Sequence, residues 1–445
     1  MTTKSIFIHQ KKIISNLKEI IRNLKKKNLF FSFYDYFYFT NWSENYGSRK
    51  INLRFNKNFS FYNYLKSIIK FSYEFSSREF LIYEIYSKIN KKKSYDNLLI
   101  TYTNNIEINK KKFVNRIFKT PIDNLKSTLC LVINFDILNN KKQILNDNII
   151  LVNKKKIFLF NNLLFYISFF KYLFLVISNK KEIYDKNFYS ILEIEIKNIL
   201  KDFPIKRIFL AYESQPHQHY IIHILKKIKK DLYIIGYLHS CLPSLPFDFI
   251  FKKDEPDLLL TNGKEQKNIL VKNLGWPNKK VNSVKSFRYT YQNKDKYLNK
   301  IFLPYAINNV DEIIKSFKYL LSNNQLNNLK KFKIQNHPFT GNSKKHKMLL
   351  SRIKEAISIK KTINTRSNNS SIVIGVSASI LEILEYGVDV INICENEILH
   401  SHSENIWKNI KVTKLAKNVF KYSIKRKRSI INFGNKDEFK RKYGL

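Results

Sequence analysis

The sequence is poor in the residues that crosslink a chain or form tight turns. Its 445 residues include only 3 Cys, 9 Gly, 9 Pro and 2 Met. The cysteines, Cys130, Cys241 and Cys394, are far apart and odd in number, which argues against a disulfide framework and against cysteine pairs for a metal. We therefore expect a chain that folds in a reducing compartment around an apolar core, for which this length leaves ample material.

Acidic residues are scarce as well. The chain has 35 Asp plus Glu against 80 Lys plus Arg, a formal net charge of +45. Such an excess is typical of proteins that bind nucleic acid or anionic membranes. However, the abundant residues Lys, Ile, Asn, Phe and Tyr share A/T-rich codons, and the lysine runs are short and scattered. A solvated basic surface is the simpler interpretation, and without an RNA-binding motif we expect no specific nucleic-acid partner.

Long apolar runs are nearly absent, and one stretch is long enough to cross a bilayer. Residues 157–178 have the length, but Asn161, Asn162 and Lys171 interrupt them. The apolar patch at residues 6–8 is too short for the core of a signal peptide. We expect 157–178 to be a core helix or one lying at a membrane surface. The protein is expected to be cytoplasmic. Peripheral contact with an anionic membrane, at the inner face of the plasma membrane, is left open.

The most informative stretch is residues 370–393, which predicts a buried strand, a tight turn, a helix and a second buried strand. Ser377 and Ser379 stand where the helix should begin, and Gly387 stands where it should end. The N-terminus of this helix would then lie at the carboxyl end of a parallel sheet. Free N–H groups and serine hydroxyls at such a place favour a phosphate group.

A second strand of the same kind is predicted about thirty residues upstream. Residues 331–335 are followed by Asn336, His337 and Pro338, and then by a helix over residues 343–357. His337 would face the same sheet edge as the serines, since the carboxyl ends of parallel strands meet there. The pattern predicts a clamp for a diphosphate or phosphodiester. The alternative is a histidine in the core or in a loop whose hydrogen bonds are made within the protein and which binds no ligand.

From residue 188 onward, strands and helices alternate. We predict helices at 188–202 and 217–229 and strands at 207–211, 231–237 and 257–261. A second series, with a strand at 301–305 and a helix at 311–321, follows a polar stretch at 292–300. This alternation is typical of parallel sheets covered by helices. The predicted fold class is α/β, with two Rossmann-like domains facing a cleft.

Several of these motifs resemble known families. Glu382-Ile-Leu-Glu-Tyr-Gly-Val-Asp-Val-Ile resembles the donor-site helix of GT-B glycosyltransferases, although Asp389 stands where that pattern has Pro. His337-Pro338 with the downstream serines is similar to the His-Pro and Ser motifs of bacterial sialyltransferases and related capsule enzymes. Tyr212-Glu-Ser-Gln-Pro, Gly236-Tyr-Leu-His-Ser and Pro256-Asp-Leu-Leu-Leu-Thr-Asn-Gly resemble bacterial surface-carbohydrate-biosynthesis proteins. The resemblance covers roughly residues 200–395.

The resemblance implies a domain for each half. We expect an N-terminal Rossmann-like acceptor-side domain at residues 1–290, in which 1–125 show no motif. A C-terminal nucleotide-sugar donor domain is expected at 298–420 and a basic tail at 421–445.

Glycosyl transfer needs a base for the acceptor hydroxyl and donors for the departing phosphate. Glu213, just after a predicted strand, is the favoured base; His217 and His219 are rivals, and helix capping is the structural alternative. The expected donor-site residues are His337, Pro338, Ser377, Ser379 and Glu382. Glu382 would accept the ribose hydroxyls, or serve only as a first-turn acid of the helix. The expected acceptor-side or cleft residues are His239, Ser240, Asn262 and Arg288.

The resemblance implies a metal-independent GT-B glycosyltransferase with no cofactor, and no Asp-x-Asp pair suited to a metal is evident. Its expected partners are a nucleotide sugar, with a CMP-linked acidic sugar favoured, and a glycan or glycolipid acceptor. The product would be a growing surface polysaccharide or lipopolysaccharide. Three alternatives stay open: a nucleotide-sugar 2-epimerase, a CDP-polyol phosphotransferase, and a non-enzymatic basic protein that binds RNA or membranes.

Overall fold

The computed structural model describes a large part of the chain. The described residues are 2–26, 79–87, 89, 93–102, 106–109, 112–115, 117–118, 120–121, 127–137, 147–158, 186–252, 254–304, 307, 309–322, 332–336, 343–359, 369–435 and 437–443.

Seventeen strands and nine α-helices form in this part of the chain. The strands are β1 (Glu79–Ser87), β2 (Asn97–Tyr102), β3 (Ile106–Asn109), β4 (Lys112–Asn115), β5 (Thr120–Pro121), β6 (Thr128–Ile137), β7 (Ile149–Phe158), β8 (Arg207–Ala211), β9 (Tyr233–Tyr237), β10 (Leu258–Thr261), β11 (Val281–Ser283), β12 (Lys300–Phe302), β13 (Lys333–Gln335), β14 (Ser370–Ile374), β15 (Asp389–Ile393), β16 (Ile410–Ala416) and β17 (Val419–Ile424). The helices are α1 (Thr3–Lys26), α2 (Lys186–Asp202), α3 (Pro216–Ile228), α4 (Lys264–Asn268), α5 (Val310–Ser322), α6 (Lys344–Ile359), α7 (Ser379–Glu385), α8 (Glu397–His400) and α9 (Glu438–Tyr443).

These elements belong to two compact units, neither of which is continuous in sequence. The first unit consists of Met1–Lys27, Leu238–Phe251 and Leu260–Glu438. The second unit consists of Asn28–Tyr237, Lys252–Leu259 and Phe439–Leu445. The domain boundaries expected from the sequence stay a prediction.

The second unit contains six neighbouring strands of a mainly parallel sheet, in the order β1-β7-β6-β2-β8-β9. All neighbours from β7 to β9 run parallel, and β1 is antiparallel to β7. Leu98, Leu99 and Ile100 of β2 and the apolar side chains at 129–133 of β6 are fully buried, as expected for central parallel strands that are covered on both faces. The pattern puts the carboxyl ends of β8 and β9 at the same edge.

The first unit contains a six-stranded sheet with the order β13-β12-β14-β15-β17-β16. Its first four strands are parallel, whereas β17 and β16 form an antiparallel hairpin added beside β15. Helices α5 and α6 cover it through buried residues that include Phe317, Leu320, Leu349 and Ile353. The long helix α1 also belongs here, because Gln10 donates hydrogen bonds to the carbonyls of Ile398 and Ser401.

The predicted fold class is confirmed in that the protein is α/β with two parallel-dominated, Rossmann-like sheets. The helices and strands predicted between 188 and 393 form within a few residues of their expected bounds. Residues 421–445, for which the sequence predicts a basic tail, contain most of β17 and all of α9. The reason is that the apolar residues of β17, Val419, Phe420 and Tyr422, are buried against the sheet.

The membrane candidate is described only at its start. Ile157 and Phe158 end strand β7, and residues 159–178 lie outside the described residues. Among the helices that the structure describes, none combines the length and apolarity required to span a bilayer.

Candidate functional site

The turn between β14 and α7 is shaped by a glycine and two serines. Gly375 has φ +75°, and a Cβ on it would lie 2.8 Å from the Cβ of Pro304, so only glycine fits without strain. Ser377 Oγ accepts a hydrogen bond from the backbone N–H of Ser379 at 3.1 Å. Both serines are half-buried. They therefore stand at the start of α7, where the sequence predicted them, with partial access to solvent.

One turn into α7, Glu382 is fixed by a tyrosine. Tyr297 donates a 2.7 Å hydrogen bond from its hydroxyl to Glu382 Oε1. Burial and the Glu382 charge raise the pKa of Tyr297, so its phenol stays protonated and remains a donor. The ring of Tyr297 stacks on Tyr386 at 4.6 Å, and Tyr386 stacks on Phe433 at 4.7 Å. This stack fixes the phenol and thereby the carboxylate.

The segment after β9 lies in the same neighbourhood. Asn262 is fully buried and its Nδ2 donates to the carbonyl of Leu238 at 2.7 Å. Arg288 Nη1 is 3.5 Å from the carbonyl of His239, and the arginine is otherwise exposed. Asn262 and Arg288 thus both contact the backbone of the segment that carries His239 and Ser240.

The thiol of Cys241 connects this segment with α7. Burial raises its pKa to about 12, and the charge of Glu382 acts in the same direction, while Arg288 acts in the opposite one. These electrostatic effects place Cys241, Glu382 and Arg288 in one neighbourhood. The first unit therefore brings together the predicted α7 residues and the predicted residues of the segment after β9. His337 and Pro338 lie outside the described residues.

In the second unit, the predicted base Glu213 stands on the turn between β8 and α3. Its Oε2 accepts a 2.8 Å hydrogen bond from Gln215 Nε2. The next residue, Ser214, has φ +56°, a conformation that non-glycine residues rarely adopt. This strained turn sets the direction in which the half-buried Glu213 leaves the backbone.

A buried glutamine, Gln218, holds the turn. Its Oε1 accepts the backbone N–H groups of Glu213 at 2.8 Å and Gln215 at 3.1 Å. Its Nε2 donates to the carbonyl of Ala211 at 2.8 Å and to the hydroxyl of Tyr102 at 2.9 Å. All four hydrogen-bonding positions of this amide are used, so Gln218 ties the turn to the ends of β8 and β2.

The rival bases are less suited to accept a proton. Tyr102, which takes a hydrogen bond from Gln218, donates its own proton to His217 Nε2 at 2.8 Å. Burial lowers the pKa of His217 to about 3, so the ring is a weak base at neutral pH. His219 is fully buried; its Nδ1 donates to the carbonyl of Asp254 and its Nε2 accepts from Ser214. Both ring nitrogens of His219 therefore already have hydrogen-bond partners.

A buried cluster of charged groups contacts this turn. Lys252 Nζ donates to Ser214 Oγ at 3.4 Å, and Tyr212 donates to the carboxylate of Glu255. Burial raises the pKa of Glu255 to about 7, against the lowering effect of Lys252. The cluster links Lys252 and Glu255 to Tyr212 and Ser214 and so helps to hold the turn.

The sequence did not point to the residues that position the two carboxylates. Tyr297 lies in the polar stretch at 292–300, and Tyr102 and Gln218 lie in a strand and a helix without any motif. The His and Gln residues of the Gln215–His219 stretch, unusual at the start of a helix, were the only local signal.

Comparisons with known proteins give weak likenesses only. No protein-family model matches the chain, and no curated protein matches it significantly. UDP-GlcNAc 2-epimerase from Neisseria meningitidis, solved with UDP-GlcNAc bound, is similar with TM-score 0.36 and 11% identity, covering 70% of this chain and 89% of that chain. The α,α-trehalose 6-phosphate synthase from Burkholderia multivorans gives TM-score 0.33 and 9% identity, covering 63% and 76%. A glycosyltransferase from Rickettsia africae gives TM-score 0.31 and 9% identity, covering 69% and 86%. At this similarity the likenesses assign neither a reaction nor a substrate to this chain.

Proposed function

We propose that this protein is a glycosyltransferase that uses a nucleotide-activated sugar. The observation that carries the proposal is the Glu382 carboxylate, held by Tyr297 one turn after Ser377 and Ser379 at the carboxyl end of a buried parallel strand. Carboxylates accept sugar hydroxyls, and serine hydroxyls donate to phosphate oxygens. A nucleoside phosphate carries ribose hydroxyls for the carboxylate and phosphate oxygens for the serines, close to one another.

In this proposal Glu382 accepts hydrogen bonds from the ribose hydroxyls through Oε2, because Tyr297 already donates to Oε1. Ser379 donates to the phosphate, while Ser377 holds the backbone of the turn. His337 and Pro338, proposed from the sequence alone, contribute to the same phosphate. His239, Ser240, Asn262 and Arg288 form or support the neighbouring surface.

Glu213 is proposed as the general base that removes the proton from the acceptor hydroxyl. Its orientation by Gln215 and Gln218 supports this role, since a base must be held within reach of the proton it takes. We further propose a CMP-linked acidic sugar as donor, transfer without metal or cofactor, and a growing surface polysaccharide or lipopolysaccharide as acceptor. These finer statements rest on the motif resemblance.

The test is thermal-shift binding of the full-length protein with CMP, CDP, UDP, UMP and GDP. A ligand that binds only the folded state raises the melting temperature, and at equal concentration a tighter ligand raises it more. We expect stabilisation by CMP above the other nucleotides, and its loss in Ser379→Ala, Glu382→Gln and His337→Ala. Glu355→Gln, an exposed site on α6 of the same unit, is the control and should respond like the wild type.

The outcomes separate the parts of the proposal. Stabilisation by UDP or GDP, lost in the same variants, would overturn the CMP donor and keep the nucleotide-sugar site. Turnover of a nucleotide sugar to its epimer or its free sugar, with no acceptor added, would favour the epimerase alternative. A protein that responds to no nucleotide would contradict the glycosyltransferase proposal itself.

A further inference from the structure

The most concentrated charge in the sequence lies in one stretch of the first unit. Residues 405–436 contain eight Lys and two Arg and no Asp or Glu, in a chain whose basic residues otherwise occur in short scattered runs. The described residues of this stretch, 405–435, include the hairpin of β16 and β17 and the turn that follows it. We call the exposed basic residues of this stretch the basic hairpin surface. Its members are Lys408, Lys411, Lys417, Lys421, Lys425, Arg426, Lys427 and Arg428.

The hairpin sorts its residues between two faces. Lys411 lies opposite Ser423 and Thr413 lies opposite Lys421, so these four side chains share one face, on which Lys411, Thr413 and Lys421 are exposed. Phe420 and Tyr422 alternate with Lys421 along β17, so they point to the opposite face, and both are completely buried. The exposed face is therefore basic and polar, and the aromatic rings of the hairpin are not available at the surface.

Hydrogen bonds from side chains to backbone groups hold the turn at residues 425–428 in place. The buried carboxylate of Glu385 accepts the N–H groups of Arg428, of Ile430 at 3.1 Å and of Ile431 at 3.0 Å. Ser429 Oγ donates to the carbonyl of Arg426 at 2.8 Å. Because the backbone is fixed in this way, the basic side chains are presented together without the entropy cost of ordering a free loop.

Acidic neighbours neutralise this surface only in part. Lys425 pairs with Glu404 at 2.8 Å and Lys421 pairs with Asp389 at 3.0 Å. Both pairs are solvent-exposed, and such pairs contribute little energy. Eight positive charges against these two negative ones leave a strongly cationic surface.

We propose that the basic hairpin surface binds a membrane surface rich in anionic phospholipid. Each Lys or Arg held near such a surface adds to the attraction, so a fixed cluster of this size gives useful affinity without apolar insertion. Single-stranded nucleic acid would require exposed aromatic rings for stacking, and here Phe420, Tyr422 and Trp407 are buried. The inference is independent of the proposed reaction.

A purely structural role for these lysines makes a different prediction. Strand β16 is the edge of its sheet, and lysines on edge strands prevent pairing with other chains. That role would account for Lys411, but not for the cluster at residues 425–428, which lies beyond the end of β17. The turn is therefore the part to change in a test.

The experiment is cosedimentation of the full-length protein with phosphatidylcholine vesicles, with or without equimolar phosphatidylglycerol. The turn variant carries Lys425→Gln, Arg426→Gln, Lys427→Gln and Arg428→Asn, since asparagine tolerates the φ of +58° at that position. The matched control removes four exposed lysines from α5 and α6 of the same unit, as Lys315→Gln, Lys318→Gln, Lys347→Gln and Lys354→Gln. Both variants lose the same number of charges.

We expect the wild type to bind only the anionic vesicles and to be released by high salt. The turn variant should bind at least about tenfold more weakly, while the control stays within about threefold of the wild type. Equal losses in both variants would show that the whole charge of the protein acts and would overturn the proposal. Binding of single-stranded RNA that is tighter than vesicle binding and is lost in the turn variant would also overturn it, in favour of nucleic acid.

Folding of the variants is checked by their melting temperatures. If the turn variant unfolds, the variant Lys408→Gln, Lys411→Gln, Lys417→Gln and Lys421→Gln tests the same surface without touching the turn held by Glu385. It should weaken vesicle binding relative to the α5 and α6 control. Vesicle binding equal to that control would contradict the proposal.

Discussion

Tyr297 and Glu382, 85 residues apart in the chain, are joined by a 2.7 Å hydrogen bond from the phenol to the carboxylate. The bond occupies one carboxylate oxygen and fixes the direction of the other. Neither residue suggests the other in the sequence, because Tyr297 lies in a polar stretch without a motif. The proposed nucleotide site depends on this pair.

Substitutions at Glu382 and Tyr297 should weaken nucleotide binding to different degrees. Glu382→Gln is expected to weaken the affinity for the preferred nucleotide about tenfold or more, since a hydrogen bond to a charged group contributes roughly 1.5–3 kcal/mol. Tyr297→Phe keeps the ring stack with Tyr386 and should weaken affinity less. Isothermal titration calorimetry measures both. A Glu382→Gln protein that binds the nucleotide like the wild type would remove Glu382 from the site.

Gln218 offers a test of how the Glu213 turn is held. Gln218→Met keeps the size of the side chain but leaves two backbone N–H groups, a carbonyl and the Tyr102 hydroxyl without their partner. We expect the free energy of unfolding to fall by about 2–4 kcal/mol, because buried polar groups would lose their bonds. Denaturant titration measures this. Gln292→Met, outside the core, should change stability little; equal effects at both sites would contradict the role assigned to Gln218.

His402 is predicted to make the first unit acid-sensitive. Its ring is buried between Trp407 and Tyr422, and within the described part of the chain both ring nitrogens lack a hydrogen-bond partner. Burial lowers the pKa of His402 to about 3 and that of His400 to about 4 from an ordinary 6.5. Below pH 6.5 the unfolded chain therefore binds more protons than the folded one, and stability falls as pH falls.

For His402 alone the loss reaches about 2 kcal/mol at about pH 5. His402→Leu should remove this part of the pH dependence and leave stability at neutral pH equal or higher, because an unpartnered polar ring is replaced by an apolar side chain. Urea unfolding followed at neutral and mildly acidic pH compares the two proteins. An unchanged slope of stability against pH in His402→Leu would contradict the assignment.

The substitution Gly375→Ala tests whether the turn before α7 requires glycine. Gly375→Ala combines a positive φ with a contact of 2.8 Å to Pro304, whereas at Gly275, with φ +82°, an added Cβ would meet only Lys18 Cε, at an ordinary 3.9 Å. We expect Gly275→Ala to cost about 1 kcal/mol of stability from backbone strain alone. Gly375→Ala should cost clearly more and should also reduce nucleotide binding, because the backbone carrying Ser377 must shift. Melting curves with and without the preferred nucleotide provide both readings; equal behaviour of the two variants would contradict the contact.

Much of the fold could be predicted from the sequence where strands are buried. Strands β8 and β14 and helix α3 appear as apolar runs or periodic patterns bounded by Gly, Pro or Ser, and these local signals survive folding. The β16–β17 hairpin was not predicted, because the many lysines of its exposed face obscured Val419, Phe420 and Tyr422. Burial of these three against the sheet outweighs the local charge.

By itself, the sequence determined the α/β class, the order of strands and helices from 188 to 393, and the position of Ser377, Ser379 and Glu382 around the start of α7. These follow from local patterns, in which each residue is constrained by its near neighbours. Only the tertiary structure decided which groups hold the functional candidates: Tyr297 on Glu382, Gln218 on the Glu213 turn, and Glu385 on the turn at 425–428. Such contacts join side chains to groups on other elements, and their free energy exists only once burial has removed the competing water.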